Sequence, residues 1–196
     1  MKLSAVIPAS GLSRRMGREK ILLPFRGSTI LETILETLAA AGVEQRVVVL
    51  RPDLGEAAGR ARRAGASVVT NPQPEGEMLA SIRLGLGALA GGPDAVFVWP
   101  ADHPAVSRST VALLAALVDP ARALIPTYLD RRGHPALIGN SLLPDIALIP
   151  PEEGLRHLYR QRPPAVLEIA VKDPGVIRNI DTPADYEELI SRDSSH

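Results

Sequence analysis

A three-layer, doubly wound α/β domain with a mostly parallel sheet is the fold class this sequence predicts, and three observations predict it. Apolar runs of strand length alternate with helical patterns from Leu3 to Val118, so successive parallel strands need right-handed crossovers that cover both sheet faces. The chain is 45% hydrophobic but only 3% aromatic. That leaves a core of Ala, Val, Leu and Ile, as in β-branched strands covered by Ala- and Leu-rich helices. Its 196 residues suffice for one well-buried core and sit inside single-domain size. Residues 1–192 are read as one domain, with a frayed tail at 193–196.

The elements follow from local pattern. Leu3 to Pro8 is an apolar run suited to a buried strand, and Leu22 to Gly27 reads as a turn. Ile30, Ile34, Leu35 and Leu38 share one face of a helix that Ser28 or Thr29 can cap and Gly42 ends. Arg46 to Leu50 is the second strand, Asp53 is expected to open a helix reaching Ala64, and Ser67 to Thr70 is the third strand, stopped by Asn71-Pro72. A helix spans Gly76 to Leu86, a strand Asp94 to Trp99, and a helix runs from a Ser107 or Ser109 cap to Val118. The last third is less regular. Ala123 to Pro126 starts a strand, and Asp130 to Pro135 is a tight turn, either a hairpin or a substrate loop. Two short helices are separated by Pro150-Pro151, strands are expected at Ala165 to Val171 and Val176 to Ile180, and a helix begins at Pro183.

Composition narrows the function classes. Lys plus Arg and Asp plus Glu are equal at 22 each, so no bulk charge points to a nucleic acid or a membrane, and any phosphate binding must be local. Cysteine is absent, which removes disulfides, thiolate metal sites and a cysteine nucleophile and leaves oxygen or imidazole ligands. No signal-like n-region opens the chain and no apolar run approaches about 18 residues. A soluble cytoplasmic protein is expected.

The stretch with most chemical content runs from Ala5 to Lys20, a strand leading into a loop with Gly11 and Gly17 and with Arg14, Arg15, Arg18 and Lys20. Glycines permit positive φ and close backbone approach, so successive N–H groups can turn toward an anion while the side chains add positive charge. Such a loop is either a cradle for a nucleotide triphosphate or a basic surface turn. It lacks the Gly-x-Gly-x-x-Gly spacing of dinucleotide sites and the Gly-Lys-Ser/Thr of a Walker loop.

Gly11-x-Ser13-x-Arg15-Met16-Gly17-x-x-Lys20 resembles the signature loop of the nucleotidyltransferases of the molybdenum cofactor type, with Pro8-Ala9-Ser10 standing where that family usually carries Leu-Ala-Ala. The resemblance implies the fold of the nucleotide-diphospho-sugar transferases. It also implies that Pro8, Ala9, Ser10, Gly11, Ser13, Arg15 and Lys20 bind the nucleotide, with Arg15 and Lys20 acting in catalysis. Asn71, Gly76 and Ser81 resemble the family's nucleotide-sensing loop and helix, Glu77 being inserted between Gly76 and Met78. On the residues alone, Ser81 either contacts base or ribose or simply faces another helix.

Asp102 follows an apolar strand and lies between Pro100 and Pro104, and Asp181 ends another apolar run before Pro183. Each reads as a helix cap or turn former, or as half of a hard oxygen site for Mg²⁺. The resemblance favours the second reading. Pro100-Ala101-Asp102-His103-Pro104 is similar to the family's Asp-x-Pro metal motif, with His103 replacing the commoner glutamine, and Asp181-Thr182-Pro183-Ala184-Asp185 is similar to its closing motif. It implies Asp102 and Asp181 as Mg²⁺ ligands and Asp102 as catalytic. Arg131-Arg132-Gly133-His134-Pro135 resembles the loop over the second substrate, which makes His103, Arg132, Gly133 and His134 acceptor-binding candidates; the bland reading is a charged turn.

What the resemblance implies is a Mg²⁺-dependent transferase that moves a nucleoside monophosphate from an NTP to a phosphorylated acceptor and releases pyrophosphate. Ala9-Ser10-Gly11 is nearer the cytidylyl form of the loop, so CTP is favoured over GTP, with a molybdopterin-type acceptor and a molybdoenzyme as a possible client. Two rivals are a transferase acting on a sugar or polyol phosphate and a non-catalytic carrier of molybdenum cofactor.

Overall fold

Six residues that are all buried, Leu3–Pro8, form the central strand β1 of the computed structural model, which describes residues 1–73 and 78–193. A strand without a charged side chain suits burial on both faces. It pairs in parallel with β4 (Gln45–Leu50) on one side and β6 (Ala95–Val98) on the other. β5 (Ser67–Thr70) extends the sheet in parallel beyond β4. On the other wing β9 (Ala136–Gly139) runs antiparallel between β6 and β7 (Ala123–Tyr128), and β10 (Val166–Ala170) closes the edge parallel to β7. The order is therefore β10-β7-β9-β6-β1-β4-β5, with the short β8 (Arg131–Arg132) folded back on the end of β7.

Alternation along the central strands sends neighbouring side chains to opposite faces. Ala5, Ile7, Val48, Leu50, Phe97 and Trp99 pack with α1 (Ile30–Ala40), α2 (Gly55–Arg63), α4 (Arg108–Ala116) and Leu189 of α7 (Pro183–Asp193). Val6, Val47, Val49 and Val96 face the other layer, where Leu86 of α3 (Met78–Gly87) covers them. A Cβ on Gly85 would lie 2.4 Å from Cγ1 of Val6, so only glycine lets α3 sit this close to β1. Ser81 lies four residues before Gly85, on the same helix face, and the close approach carries it to the end of β1.

Helix boundaries follow their caps. Thr29 and Glu32 form a reciprocal capping box on α1, and Ser107 accepts from the Thr110 N–H to start α4. Three expectations are corrected. The turn at Leu22 to Gly27 is a 3-10 turn over Lys20–Leu22 followed by a hairpin of β2 (Pro24–Phe25) and β3 (Ser28–Thr29), with Arg26 and Gly27 both at positive φ. Asp53 does not open α2, which begins at Gly55 without a side-chain cap, because its carboxylate is drawn to Arg51, 2.7 Å away. Val176 to Ile180 is not a strand: Asp173 accepts from the Gly175 and Ser107 N–H groups, and this closes a 3-10 turn over Pro174–Ile177. The two short helices of the last third are α5 (Leu143–Leu148) and α6 (Arg156–Gln161). α7 continues to Asp193, whose carboxylate pairs with Arg26 at 2.8 Å. Gly76, expected to begin α3, lies outside the described residues. Among the described residues no helix is long and apolar enough to cross a membrane.

Candidate active site

The carboxyl ends of β1 and β6 open into a cleft of about 170 Å³, the position at which doubly wound sheets bind ligands. Pro8, Ala9, Ser10, Gly11, Ser13 and Lys20 line it from the first loop, Ser81 from α3 and Asp102 from the loop after β6. Pairing outlasts the strands here, with the Ala9 N–H bonded to the Val49 carbonyl and the Trp99 N–H to that of Val6. The lining is therefore anchored to the sheet.

At one end Ser10, Asn71 and Ser81, all buried, form a single network. Asn71 Nδ2 donates to Ser81 Oγ at 3.0 Å, and the two serine hydroxyls lie 2.7 Å apart. Asn71 is fixed in turn, because its Oδ1 accepts from the Gln73 N–H and its own N–H reaches the Leu50 carbonyl. Asn71 Nδ2 also lies 3.5 Å from Ser10 Oγ, so both hydroxyls accept from the Asn71 amide and either can donate to the other.

The charged loop occupies the middle. Gly17 adopts φ +64°, but Gly11 does not take positive φ, and the left-handed turn there falls on Ser13 at +47°. Arg18 leaves the cleft and lies over the Tyr186 ring at 5.5 Å. Arg15 is 3.2 Å from Oδ2 of Asp181. Lys20, only 15% exposed, donates to the Ile180 carbonyl at 2.6 Å and lies 3.6 Å from Oδ1 of Asp181.

Neither Asp102 nor Asp181 caps the helix that follows it. Thr182, not Asp181, caps α7, its hydroxyl accepting from the Asp185 N–H while Asp185 accepts from the Asp181 and Thr182 N–H groups, chiefly the first, which hold its carboxyl below the ordinary value. Likewise α4 is capped by Ser107, and Asp102 Oδ1 lies 2.8 Å from Nδ1 of His103. Burial raises the Asp102 carboxyl, but the His103 hydrogen bond and the charges of His103 and Lys20 outweigh it and hold it below its usual value. The Ile180 N–H donates to the Asp102 carbonyl at 2.8 Å, joining the two aspartate-bearing segments. Among the described residues no group of three or more His, Asp or Glu forms a metal cage. Asp181 Oδ2 accepts from Asn179 Nδ2 at 2.8 Å, and a divalent cation there would displace the nearby Arg15 and Lys20; two carboxylates are the kind of oxygen donor that Mg²⁺ takes beside waters and substrate phosphates.

Beyond Asp102, His103 and His134 meet edge to face with ring centroids 4.6 Å apart. Burial, followed by the His103 charge, lowers His134 to about 4, so its imidazole is neutral at pH 7. Its Nδ1 is buried without a partner. The His134 N–H donates to the Val176 carbonyl at 2.8 Å, and a Cβ on Gly133 would lie 2.3 Å from that same oxygen. Gly133→Ala is therefore expected to cost about 1–3 kcal/mol through backbone displacement, read as a lower melting midpoint in thermal denaturation. An unchanged midpoint would show that this segment yields freely. Arg132 is not brought to this cluster, since its guanidinium grips Glu168 of β10 through Nε and Nη2 at 2.8 and 2.6 Å.

Residues 5–166 match the family described as the MobA-like NTP transferase domain. The chain belongs to that family. It is 32% identical over 189 residues to nicotine blue oxidoreductase of Paenarthrobacter nicotinovorans, covering 92% of both chains. It is 24% identical to the molybdenum cofactor cytidylyltransferase of Escherichia coli K12, over 94% of this chain and 93% of that one. It is also 32% identical to phosphoenolpyruvate guanylyltransferase of Sphaerobacter thermophilus, over 96% and 93%. A solved nucleotidyl transferase from Methanothermobacter superposes with a TM-score of 0.83 at 25% identity, covering 97% of each chain. This MobA-like transferase thus has the nucleotide-diphospho-sugar transferase fold and is a nucleotidyltransferase.

One charged residue of the MobA-like site escapes a reading by motif. Arg51, at the carboxyl end of β4, is 7% exposed, donates to the Gly11 carbonyl at 2.8 Å and pairs with Glu19 and Asp53. Burial works against its charge, but the bonds to Glu19 and Asp53 prevail and raise its pKa further. The signal was present in Val47-Val48-Val49-Leu50-Arg51: a cation directly at a strand end, as Asp102 is an anion beyond another.

Proposed function

We propose that this transferase moves CMP from CTP to a phosphorylated acceptor of the molybdopterin type and releases pyrophosphate. The observation that carries the reading is the place of Lys20, against Asp181 and within electrostatic reach of Asp102. One cation and two carboxylates there meet the needs of phosphoryl transfer, which asks for alignment and charge neutralisation more than for covalent help. An acceptor phosphate oxygen forms a bond to the α-phosphorus as the bond from that phosphorus to its bridging oxygen breaks, and the electron pair leaves with pyrophosphate. Asp102 and Asp181 would hold Mg²⁺, which when bound supplies charge that draws the two anions together. Arg15 and Lys20 exchange Asp181 for the triphosphate and stabilise the departing group. His134, its imidazole neutral, stands with His103 on the acceptor side. A pyrophosphate-release screen of four NTPs with Mg²⁺ against molybdopterin, molybdenum cofactor and sugar 1-phosphates tests the reading. Release with CTP and a molybdopterin-type acceptor is expected; release only with a sugar phosphate moves the acceptor class, and binding without release favours the carrier.

The expected preference for CTP rests on the small size of the cleft and on the polar side chains that line it. A purine must fit its second ring in a space that a single-ring base does not need, and Ser10 Oγ can serve the base as donor or acceptor. Each buried hydrogen bond left unmade costs about 1–3 kcal/mol, so CTP should bind roughly tenfold or more tighter than GTP or ATP. Dissociation constants of the four NTPs with Mg²⁺, by calorimetry, decide this. A GTP preference would move the chain to guanylyl transfer, and Ser10→Ala should narrow whichever preference is found.

A further inference from the structure

We infer that Arg51 is the positioning residue of the phosphate loop: from behind, its buried guanidinium ties both ends of that loop, at Gly11 and at Glu19, to the end of β4. The inference rests on the nucleotidyltransferase reading and adds a residue that no motif of the loop contains.

The segment from Gly11 to Glu19 has no strand or helix, and its turn is marked by the Met16 N–H to Ser13 carbonyl bond. Holding such a segment in one shape needs contacts that outweigh its conformational entropy. Arg51 supplies them at the two ends. Nη1 takes the Gly11 carbonyl at 2.8 Å, Nη2 takes the Glu19 carboxylate, and Nε is 2.7 Å from Oδ1 of Asp53. Gly11 and Glu19 line the cleft while Arg51 is not part of its lining, so the guanidinium lies on the far side of the loop. In a trans peptide the carbonyl and the next N–H point in opposite directions. With the Gly11 carbonyl drawn back to Arg51, the Leu12 N–H is turned to the side on which the triphosphate lands.

Glu19 gives the contact a second consequence. Its carboxylate borders a cleft built for a polyanion, and unneutralised it would repel the ligand. Pairing with Arg51 cancels that charge and also fixes the residue before Lys20, where the 3-10 turn over Lys20–Leu22 begins. A lysine cannot substitute, because one ammonium on a flexible stem lacks the planar fork that spans three acceptors at once.

Calorimetry with inorganic tripolyphosphate and with CTP, each with Mg²⁺, isolates the loop from base recognition. In Arg51→Lys both ligands should weaken by about tenfold or more and by the same factor, the loss of one or two charge-assisted bonds, while the KM for acceptor stays as in the wild type. Asp53→Asn, which removes only the exposed outer partner, should leave both affinities unchanged. The double variant Arg51→Met/Glu19→Gln leaves no unpaired charge on Glu19, and its tripolyphosphate affinity should remain low because the Gly11 carbonyl is still untied. Wild-type affinity in the double variant would reduce Arg51 to a counter-ion, and wild-type affinity in Arg51→Lys would overturn the inference. A purely structural role would instead raise acceptor KM along with the nucleotide constants. If the wild type binds neither tripolyphosphate nor any NTP, the nucleotidyltransferase reading itself falls and this inference with it.

Discussion

Replacing Asp102 by asparagine is expected to lower turnover by roughly 10²–10³-fold while costing less than about 1 kcal/mol of stability. The amide keeps the size of the side chain and an oxygen that can accept from His103, and the Ile180 N–H bonds to the backbone carbonyl of residue 102, which the substitution does not touch. What is lost is a negative charge that His103 and Lys20 keep ionised at neutral pH. Asp181→Asn should behave alike, since Asp185 and Thr182 retain the cap of α7 without it. Initial rates of pyrophosphate release, thermal midpoints and a Mg²⁺ titration in the presence of a non-hydrolysable CTP analogue separate these effects. Turnover that survives in both variants would remove the two carboxylates from the proposed metal site.

The parts of this molecule readable in the sequence are those in which one local rule decides the outcome. Val47-Val48-Val49 is a continuous β-branched run that favours a buried strand, and Thr29 with Glu32 starts a helix through its own side chains. The loop from Pro8 to Lys20 was legible in part: Pro8, Ala9, Ser10, Gly11, Ser13 and Lys20 line the cleft from one continuous segment, whereas Arg15 turns to Asp181 and Arg18 to Tyr186.

Other features depend on partners far away in the chain. Nothing near Val176 says that Asp173 will tie Gly175 to the start of α4, so an apolar run of strand character becomes a 3-10 turn. Arg132 lies two residues before His134, but β8 pairs it with Thr127 of β7, and its guanidinium reaches Glu168 on β10 beside that strand, a partner that no local pattern announces. Arg51 is the converse case. Its sequence neighbours carry no motif, and its place in the site exists only because β1 and β4 are paired and bring Gly11 and Glu19 within reach. Whether Asp181 caps a helix was undecidable from spacing, and only the hydrogen bonds assign the cap to Thr182, with Asp185 as its reciprocal partner.

Lys20→Ala should reduce kcat by roughly 10²-fold or more and change the KM for CTP much less, because a charge aimed at the transferred phosphoryl group acts mainly as charge develops in the transition state. Lys20 is also a tether: its ammonium holds the Ile180 carbonyl at 2.6 Å and so draws the Asp181 segment to the phosphate loop. Removing it could slow the reaction by displacing Asp181 and not by removing charge. Lys20→Gln separates the two, since its amide can still donate to the Ile180 carbonyl but carries no charge. If charge is the cause, Gln should be nearly as slow as Ala. Recovery of most of the turnover by Gln would make Lys20 a tether. Loss of CTP affinity with unchanged kcat in the Ala variant would make it a binding residue, and the stabilising charge would then have to come from Arg15, 70% exposed and free to swing from Asp181 onto the phosphates. Single-turnover rates with saturating CTP, set beside calorimetric dissociation constants, distinguish these outcomes because they report the chemical step and the binding step independently.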